Sequence, residues 1–185
     1  MSLTQLRSRG ILDGTITAGD FASGVGGKVL QVVQVTKTDT FTASLSIGSF
    51  TDITGLSVSI TPSSASNKIL VFAKVDGGGD ATDNRPQYYR LLRDSTLIGS
   101  GVNSSSRLAT SFGTGVTVSR SLATCSTNFL DSPATTSSTT YKIQVGHESS
   151  STGSIFINRG NLDDDLANTK RGISIIIVME IAAWL

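Results

Sequence analysis

An all-β fold, an antiparallel β-sandwich or jelly roll of roughly eight to ten strands, is the architecture that this 185-residue sequence predicts. Three observations carry that expectation. Roughly a quarter of the chain is serine or threonine, while glutamate occurs only at Glu148 and Glu180 and Lys, Gln and Ala are sparse. The residues that coat helix surfaces are scarce, and those that suit strands and turns abound. Apolar residues recur with a period of two in several runs, the mark of strands with one buried and one wet face. Clusters of turn-forming residues fall about every ten residues with no helical crossover between them, so the sheets are expected to be mainly antiparallel. With 38% hydrophobic residues the chain has material for one core.

In chain order, residues 1–27 differ from the rest and are read as an extended N-terminal arm. Leu12 to Ala22 can hold one short helix, with Thr17 or Asp20 near its cap. Gly24, Gly26 and Gly27 then form a glycine-rich hinge. Residues 28–185 are read as the sandwich body. Val29, Val32, Val33 and Val35 mark a first strand, and Phe41, Leu45 and Ile47 a second. From Ile53 to Ile60 the alternation is clean, with Leu56, Val58 and Ile60 set against Ser57 and Ser59. Thr61 to Asn67 is turn material. Lys68 to Val75 reads as a near-continuous apolar strand ending at an Asp76–Asp80 loop. Gln87–Arg93 and Thr96–Gly99 flank Asp94-Ser95, a two-residue link that suits a hairpin. Val116, Val118 and Asn128–Leu130 carry a fainter strand signal. Tyr141, Ile143 and Val145 alternate again, and Ile155–Ile157 and Ile173–Ile181 complete the set. The last strand is apolar on both faces, with Ile175, Ile177 and Met179 opposite Ile176 and Val178. It therefore belongs either in the centre of the core or at a subunit interface, and Trp184 extends the same apolar tail.

Several function classes are disfavoured. A formal net charge of +1 gives no field to draw the chain to nucleic acid or to an anionic membrane. A lone Cys125 cannot close an intrachain disulfide or, with His147 as the single histidine, build a zinc cluster. The N-terminal segment lacks the apolar run of a signal peptide, and the run from Ile173 to Leu185, interrupted by Ser174 and Glu180, is too short to span a bilayer. The expectation is a protein made in a cytoplasm without export, without membrane insertion and without a cofactor.

Catalytic constellations are sparse as well. His147 sits at a strand end with no nucleophile elbow, and reads as a hydrogen-bonded structural histidine. Cys125 reads as a small buried hydrophobe. Asp76, Asp80 and Asp83 alternate with glycines, and Asp163–Asp165 form a second acidic run; hard oxygen ligands on loops suit calcium, but neither run has an EF-hand register and aspartate is also a common turn former. Gly24–Gly27 leads into a strand rather than a helix, the wrong order for a phosphate loop. Arg85, Arg90 and Arg93 interleave with Tyr88 and Tyr89, yet adjacent strand residues point to opposite faces, so the two tyrosines cannot form one platform.

Two longer stretches add context. Gly24-Val25-Gly26-Gly27-Lys28-Val29-Leu30-Gln31-Val32-Val33-Gln34 with Thr36–Phe41, and Asp52-Ile53-Thr54-Gly55-Leu56-Ser57-Val58-Ser59-Ile60-Thr61-Pro62 continuing to Val71, combine with Asp13–Thr17 upstream and the Arg93-Asp94-Ser95 turn downstream. This phrasing resembles the small tail-fibre-like or virion structural proteins of tailed bacteriophages, of marine and cyanobacterial type. The resemblance is densest from about residue 13 to 75 and carries no catalytic signature. It implies an arm that fastens to the portal, tail or capsid, a β-rich body displayed outside, and a homotrimer located in the virion after assembly in the host cytoplasm. Leu3, Leu6, Ile11, Leu12, Ile16 and Phe21 would then be the anchoring residues of the arm. Ile175, Ile177, Met179 and Trp184 would be candidates for the interface between copies. A non-enzymatic fibre or spike contacting the host surface is the leading expectation. Capsid decoration and a carbohydrate-binding module are the alternatives, the latter recognising a host surface glycan.

Overall fold

The computed structural model describes residues 28–79, 86–115, 119–148 and 151–183. The arm and its hinge, the short helix expected there, Asp80, Asp83, Arg85, Val116, Val118 and Trp184 lie outside the described residues. Among the described residues there are eleven strands and no helix: β1 (Val29–Lys37), β2 (Phe41–Leu45), β3 (Phe50–Ile60), β4 (Lys68–Gly78), β5 (Gln87–Arg93), β6 (Thr96–Ile98), β7 (Phe112–Thr114), β8 (Leu122–Asp131), β9 (Thr139–His147), β10 (Gly153–Ile157) and β11 (Ser174–Ile181). The eleven strands fill eight columns because three columns are split: β6 and β7 pair successive stretches of β5, β10 and β11 follow one another along β4, and β1 and β2 follow one another beside β11 and β10.

Every pairing is antiparallel. Sheet A runs β1/β2, then β11/β10, then β4, then β8; sheet B runs β3, β9, β5, then β6/β7. Successive columns alternate between the sheets, except that β5 and β6/β7 are neighbours within sheet B; this is the order of a double Greek key, so the sandwich is a jelly roll. The strand the sequence marks as apolar on both faces, β11, lies inside sheet A between β1 and β4. Ile176 and Val178 point into the core, and Ile175, Ile177 and Met179 point out.

The core follows the period-two pattern. Leu56, Val58 and Ile60 of β3 are buried while Ser57 and Ser59 are exposed, and Tyr141, Ile143 and Val145 of β9 are buried in turn. Facing them are Ile69, Val71, Ala73 and Val75 of β4, with Ile155 and Ile157 of β10. The two-residue link also folds as expected: Arg93 pairs Thr96, and Asp94 takes the left-handed φ of 53° that closes the turn.

Several boundaries differ: β2 ends at Leu45 before Ile47, β3 begins at Phe50 ahead of Ile53, and β8 runs from Leu122 to Asp131 around the expected Asn128–Leu130. Most consequentially, instead of stopping at Val75, β4 continues to Gly78, with Asp76, Gly77 and Gly78 paired to Thr124, Ala123 and Leu122 of β8. The glycines serve close approach rather than a turn. A Cβ on Gly77 would sit 2.4 Å from the Tyr89 hydroxyl, and one on Gly78 1.7 Å from the Arg159 carbonyl oxygen.

Several buried polar groups are gathered at three nodes. Arg93 Nη1 donates to both Asp131 carboxylate oxygens at 2.9 and 3.0 Å and Tyr141 donates at 2.7 Å, tying sheet B to β8. Ser174 donates to Asn158 at 2.7 Å, and Asn158 Nδ2 donates to the Lys37 and Asp39 carbonyls, closing the β1–β2 corner. Glu180 accepts from Gln31 (2.6 Å), from the Ser63 amide and hydroxyl (both 2.7 Å) and from Asn67 (2.6 Å). That carboxylate fixes the conformation of the β3–β4 turn.

Candidate functional site

Two surface regions stand out. The first is the outer face of sheet A. In register across β1, β11, β4 and β8, Val32, Met179, Leu70 and Leu130 form one row. The next row holds Gln34, Ile177, Phe72 and Asn128, and the third Thr36, Ile175, Lys74 and Ser126. Val32 is 55% exposed, Leu130 53% and Phe72 39%. Alternation puts these side chains on the face away from the core, because Val71 and Val178 between them are fully buried. A shallow depression lies between Phe72, Ile175, Ile177 and Asn128. Contiguous exposed apolar surface of this kind marks a contact face. Ile175, Ile177 and Met179, the interface candidates from the sequence, thus share one surface, and Val32, Leu70, Phe72 and Leu130 join them. Those four are legible only once the register is known.

The second region is a cleft of about 210 Å³ where the β2–β3 turn, the end of β9 and the β6–β7 loop meet. Its floor belongs to sheet B, in which Phe50, Gly146, Tyr88 and Gly113 form one register row. Ile47 and Leu108 wall it on one side, and Arg107 and Glu148 stand at the rim. Tyr88 faces outward while Tyr89 is fully buried, donating to Gln87 at 2.9 Å and stacking on Phe112 at 4.9 Å. The expectation that the two tyrosines are on opposite faces is met. The aromatic beside Tyr88 is Phe50, brought there by β9.

The remaining candidates have structural employment. His147 is buried, its Nε2 lying 2.7 Å from the Leu45 carbonyl oxygen. The Cys125 thiol is pushed up to about 11 by burial and then by the Asp76 charge, against a lowering hydrogen bond with Tyr89, and it donates to the Val75 carbonyl at 3.7 Å. A thiol so poorly ionised is a weak nucleophile. The Asp76 carboxylate accepts from Thr124 (2.5 Å), Lys74 (3.1 Å) and the Ile173 amide (3.1 Å), which turns it inward. In the second acidic run, Asp163 pairs with Arg159 and Arg171, and Asp164 with Arg120. Among the described residues no group of three or more His, Cys, Asp or Glu side chains is placed to hold a metal ion. Arg90 stacks 3.7 Å above the Phe50 ring.

No protein-family model matches the chain, and no curated protein matches it. Among solved structures, that of the infectious bursal disease virus Gx strain is similar at 13% identity and a TM-score of 0.42, over 83% of this chain and 37% of that one. The VP2 subviral particle of the same virus is similar at 12% identity and a TM-score of 0.36, over 83% of this chain and 38% of that one. The chain therefore spans well under half the length of either.

Proposed function

We propose that this protein is a non-enzymatic structural component of a virion that assembles through the outer face of sheet A. The observation that carries the reading is the apolar surface across β1, β11, β4 and β8. The outer side of a strand apolar on both faces, such as β11, gains free energy when it is covered as well. The occupant we assign is the same face of further copies of this chain, because the rows of apolar side chains offer like surface to like and have few charges to match against a different partner. The sequence resemblance supports a homotrimeric fibre or spike, in which residues 1–20 bind the portal, tail or capsid through Leu3, Leu6, Ile11, Leu12, Ile16 and Phe21. Gly24, Gly26 and Gly27 then absorb the mismatch between particle and body.

Sedimentation of the full chain tests the assembly face. Wild type is expected as an oligomer, and Phe72→Lys with Ile177→Lys as a folded monomer, while Ser57→Lys on sheet B leaves the mass unchanged. A monomeric wild type, or an oligomer indifferent to the two lysines, overturns the reading. For the arm, a chain lacking residues 1–20 is expected to fold and to be absent from purified particles; normal incorporation refutes the anchoring role.

A further inference from the structure

The cleft above the Phe50–Gly146–Tyr88–Gly113 row is unrelated to assembly through sheet A. It lies at the opposite pole of the sandwich from Lys28, whose carbonyl oxygen accepts the Ala182 amide at 2.8 Å where the arm enters the body. The β2–β3 turn and the ends of β5 and β9 build the far pole.

Glycine on either side of Tyr88 lets aromatic rings lie down on the sheet. A Cβ on Gly146 would stand 3.0 Å from the Phe50 ring, and one on Gly113 2.9 Å from Tyr88 Cδ1. The rings therefore cover the glycines; Arg90 lies over Phe50, which leaves Tyr88 as the open aromatic surface of the cleft floor. The floor is also fixed in place. Arg90, stacked on Phe50, donates through Nε to the Ala109 carbonyl at 3.0 Å, and the Ala109 amide donates to Asn103 Oδ1 at 2.6 Å. A backbone pair between Ser104 and Arg107, 3.0 Å in each direction, closes the tip of the β6–β7 loop. Burial, and then the charge and hydrogen bond of Glu148, raise the Tyr88 phenol above its usual range, so the hydroxyl stays protonated and tied to the rim.

We infer that this cleft binds a single pyranose ring of a glycan, its C–H face on Tyr88 and its hydroxyls on Arg107 and Glu148. The walls combine apolar surface from Ile47 and Leu108, 58% and 45% exposed, with a donor-only guanidinium and an acceptor-only carboxylate. Both charged groups are exposed and already held, Arg107 by Ser104 at 3.3 and 3.0 Å and Glu148 by Tyr88, so a neutral ligand that adds hydrogen bonds to each suits the cleft better than an anion beside Glu148 or a cation beside Arg107. A pyranose ring offers one apolar C–H face and an edge of hydroxyls that both donate and accept. The volume, below the roughly 300 Å³ of drug-sized pockets, has room for one such ring.

Saturation-transfer NMR on the full chain with methyl α-glucoside, methyl β-galactoside, methyl α-mannoside and N-acetylglucosamine tests this. At least one sugar is expected to bind, and its affinity to fall about tenfold or more in Tyr88→Ala and in Arg107→Ala. Arg107 and Leu108 are on an exposed loop, so Arg107→Ala and Leu108→Asp keep the test valid should Tyr88→Ala fail to fold. Ile177→Lys, on sheet A, is expected to bind sugar normally, so loss of assembly and loss of sugar binding are read separately. Binding by none of the four sugars, or binding that survives both Arg107→Ala and Leu108→Asp, overturns the proposal. Saturation of the cleft by toluene with no sugar bound overturns it as well.

Discussion

The outer faces of the two sheets solve the same problem in opposite ways. On sheet B the exposed side chains satisfy one another: Asp52 accepts from Lys142 at 2.7 Å and from Gln144 at 2.8 Å, and Ser59 and Thr140 share a hydrogen bond of 2.8 Å. On sheet A the corresponding rows are mostly apolar, with Val32, Met179, Leu70, Leu130, Ile177, Phe72 and Ile175 beside Gln34, Asn128, Thr36, Lys74 and Ser126, and the apolar side chains gain only by leaving water. Strand geometry is the same in both, and the inner faces are equally apolar. The difference teaches that a face is made for solvent or for a partner by the alternate residues of each strand alone, independently of the fold they build.

The largest effect that sharpens this contrast separates neighbours on β11. Ile176→Ala, facing inward and fully buried, is expected to cost about 3 kcal/mol in denaturant unfolding, within the usual range for a core cavity. Ile177→Ala, next to it and facing out, is expected to cost under about 1 kcal/mol in the monomer. Equal costs would mean that the outer face is also packed within one chain.

Next comes Glu180, the buried charge at the margin of sheet A. Burial alone would raise its pKa, but the hydrogen bonds from Asn67, Gln31 and Ser63 outweigh it and lower the value from the ordinary 4.5 to about 2. The folded protein therefore holds the proton less tightly than the unfolded chain. The stability this contributes is complete above pH 4.5 and is lost as pH falls from there through about 2. Glu180→Gln turns an amide group toward donors and is expected to cost about 2 kcal/mol at neutral pH. A urea titration across this pH range should show a shallower acid slope in the variant; an unchanged slope would place the acid sensitivity elsewhere. The smallest effect is on sheet B. Asp52→Asn removes a half-exposed ion pair with Lys142 and is expected to change stability by less than about 1 kcal/mol, shrinking further in 1 M salt.

Much of this was legible in the residues. Period two placed Leu56, Val58, Ile60, Tyr141, Ile143 and Val145 in the core, while the double-sided pattern of β11 left a central position and a subunit interface both open, and pairing with β1 and β4 puts it inside sheet A. Two signals were legible but opposite in sense to their role. Ser174 and Glu180 look like interruptions of an apolar run, yet both are buried and hold the corner and the turn. Gly77 and Gly78 look like a loop, yet they are strand residues thinned to admit Tyr89 and Arg159. The cleft was not legible, because Phe50 and Tyr88 are neighbours only through β9, and register between strands distant in sequence is a property of the folded sheet.

The place of β11 has a consequence for how the molecule is made. Among the described residues it is the last strand in sequence, yet it inserts between β1, the first of them, and β4. At ordinary rates of synthesis, on the order of ten seconds separate the emergence of β1 from that of β11. Throughout that interval the facing edges of β1 and β4 lack the strand that joins them, and sheet A is incomplete. Closure is thus a late, long-range event with the slow kinetics of high contact order. Nascent chains on one messenger would carry matching open slots side by side, so the final strand does more than complete a sheet: it ends the window in which one chain can accept another's.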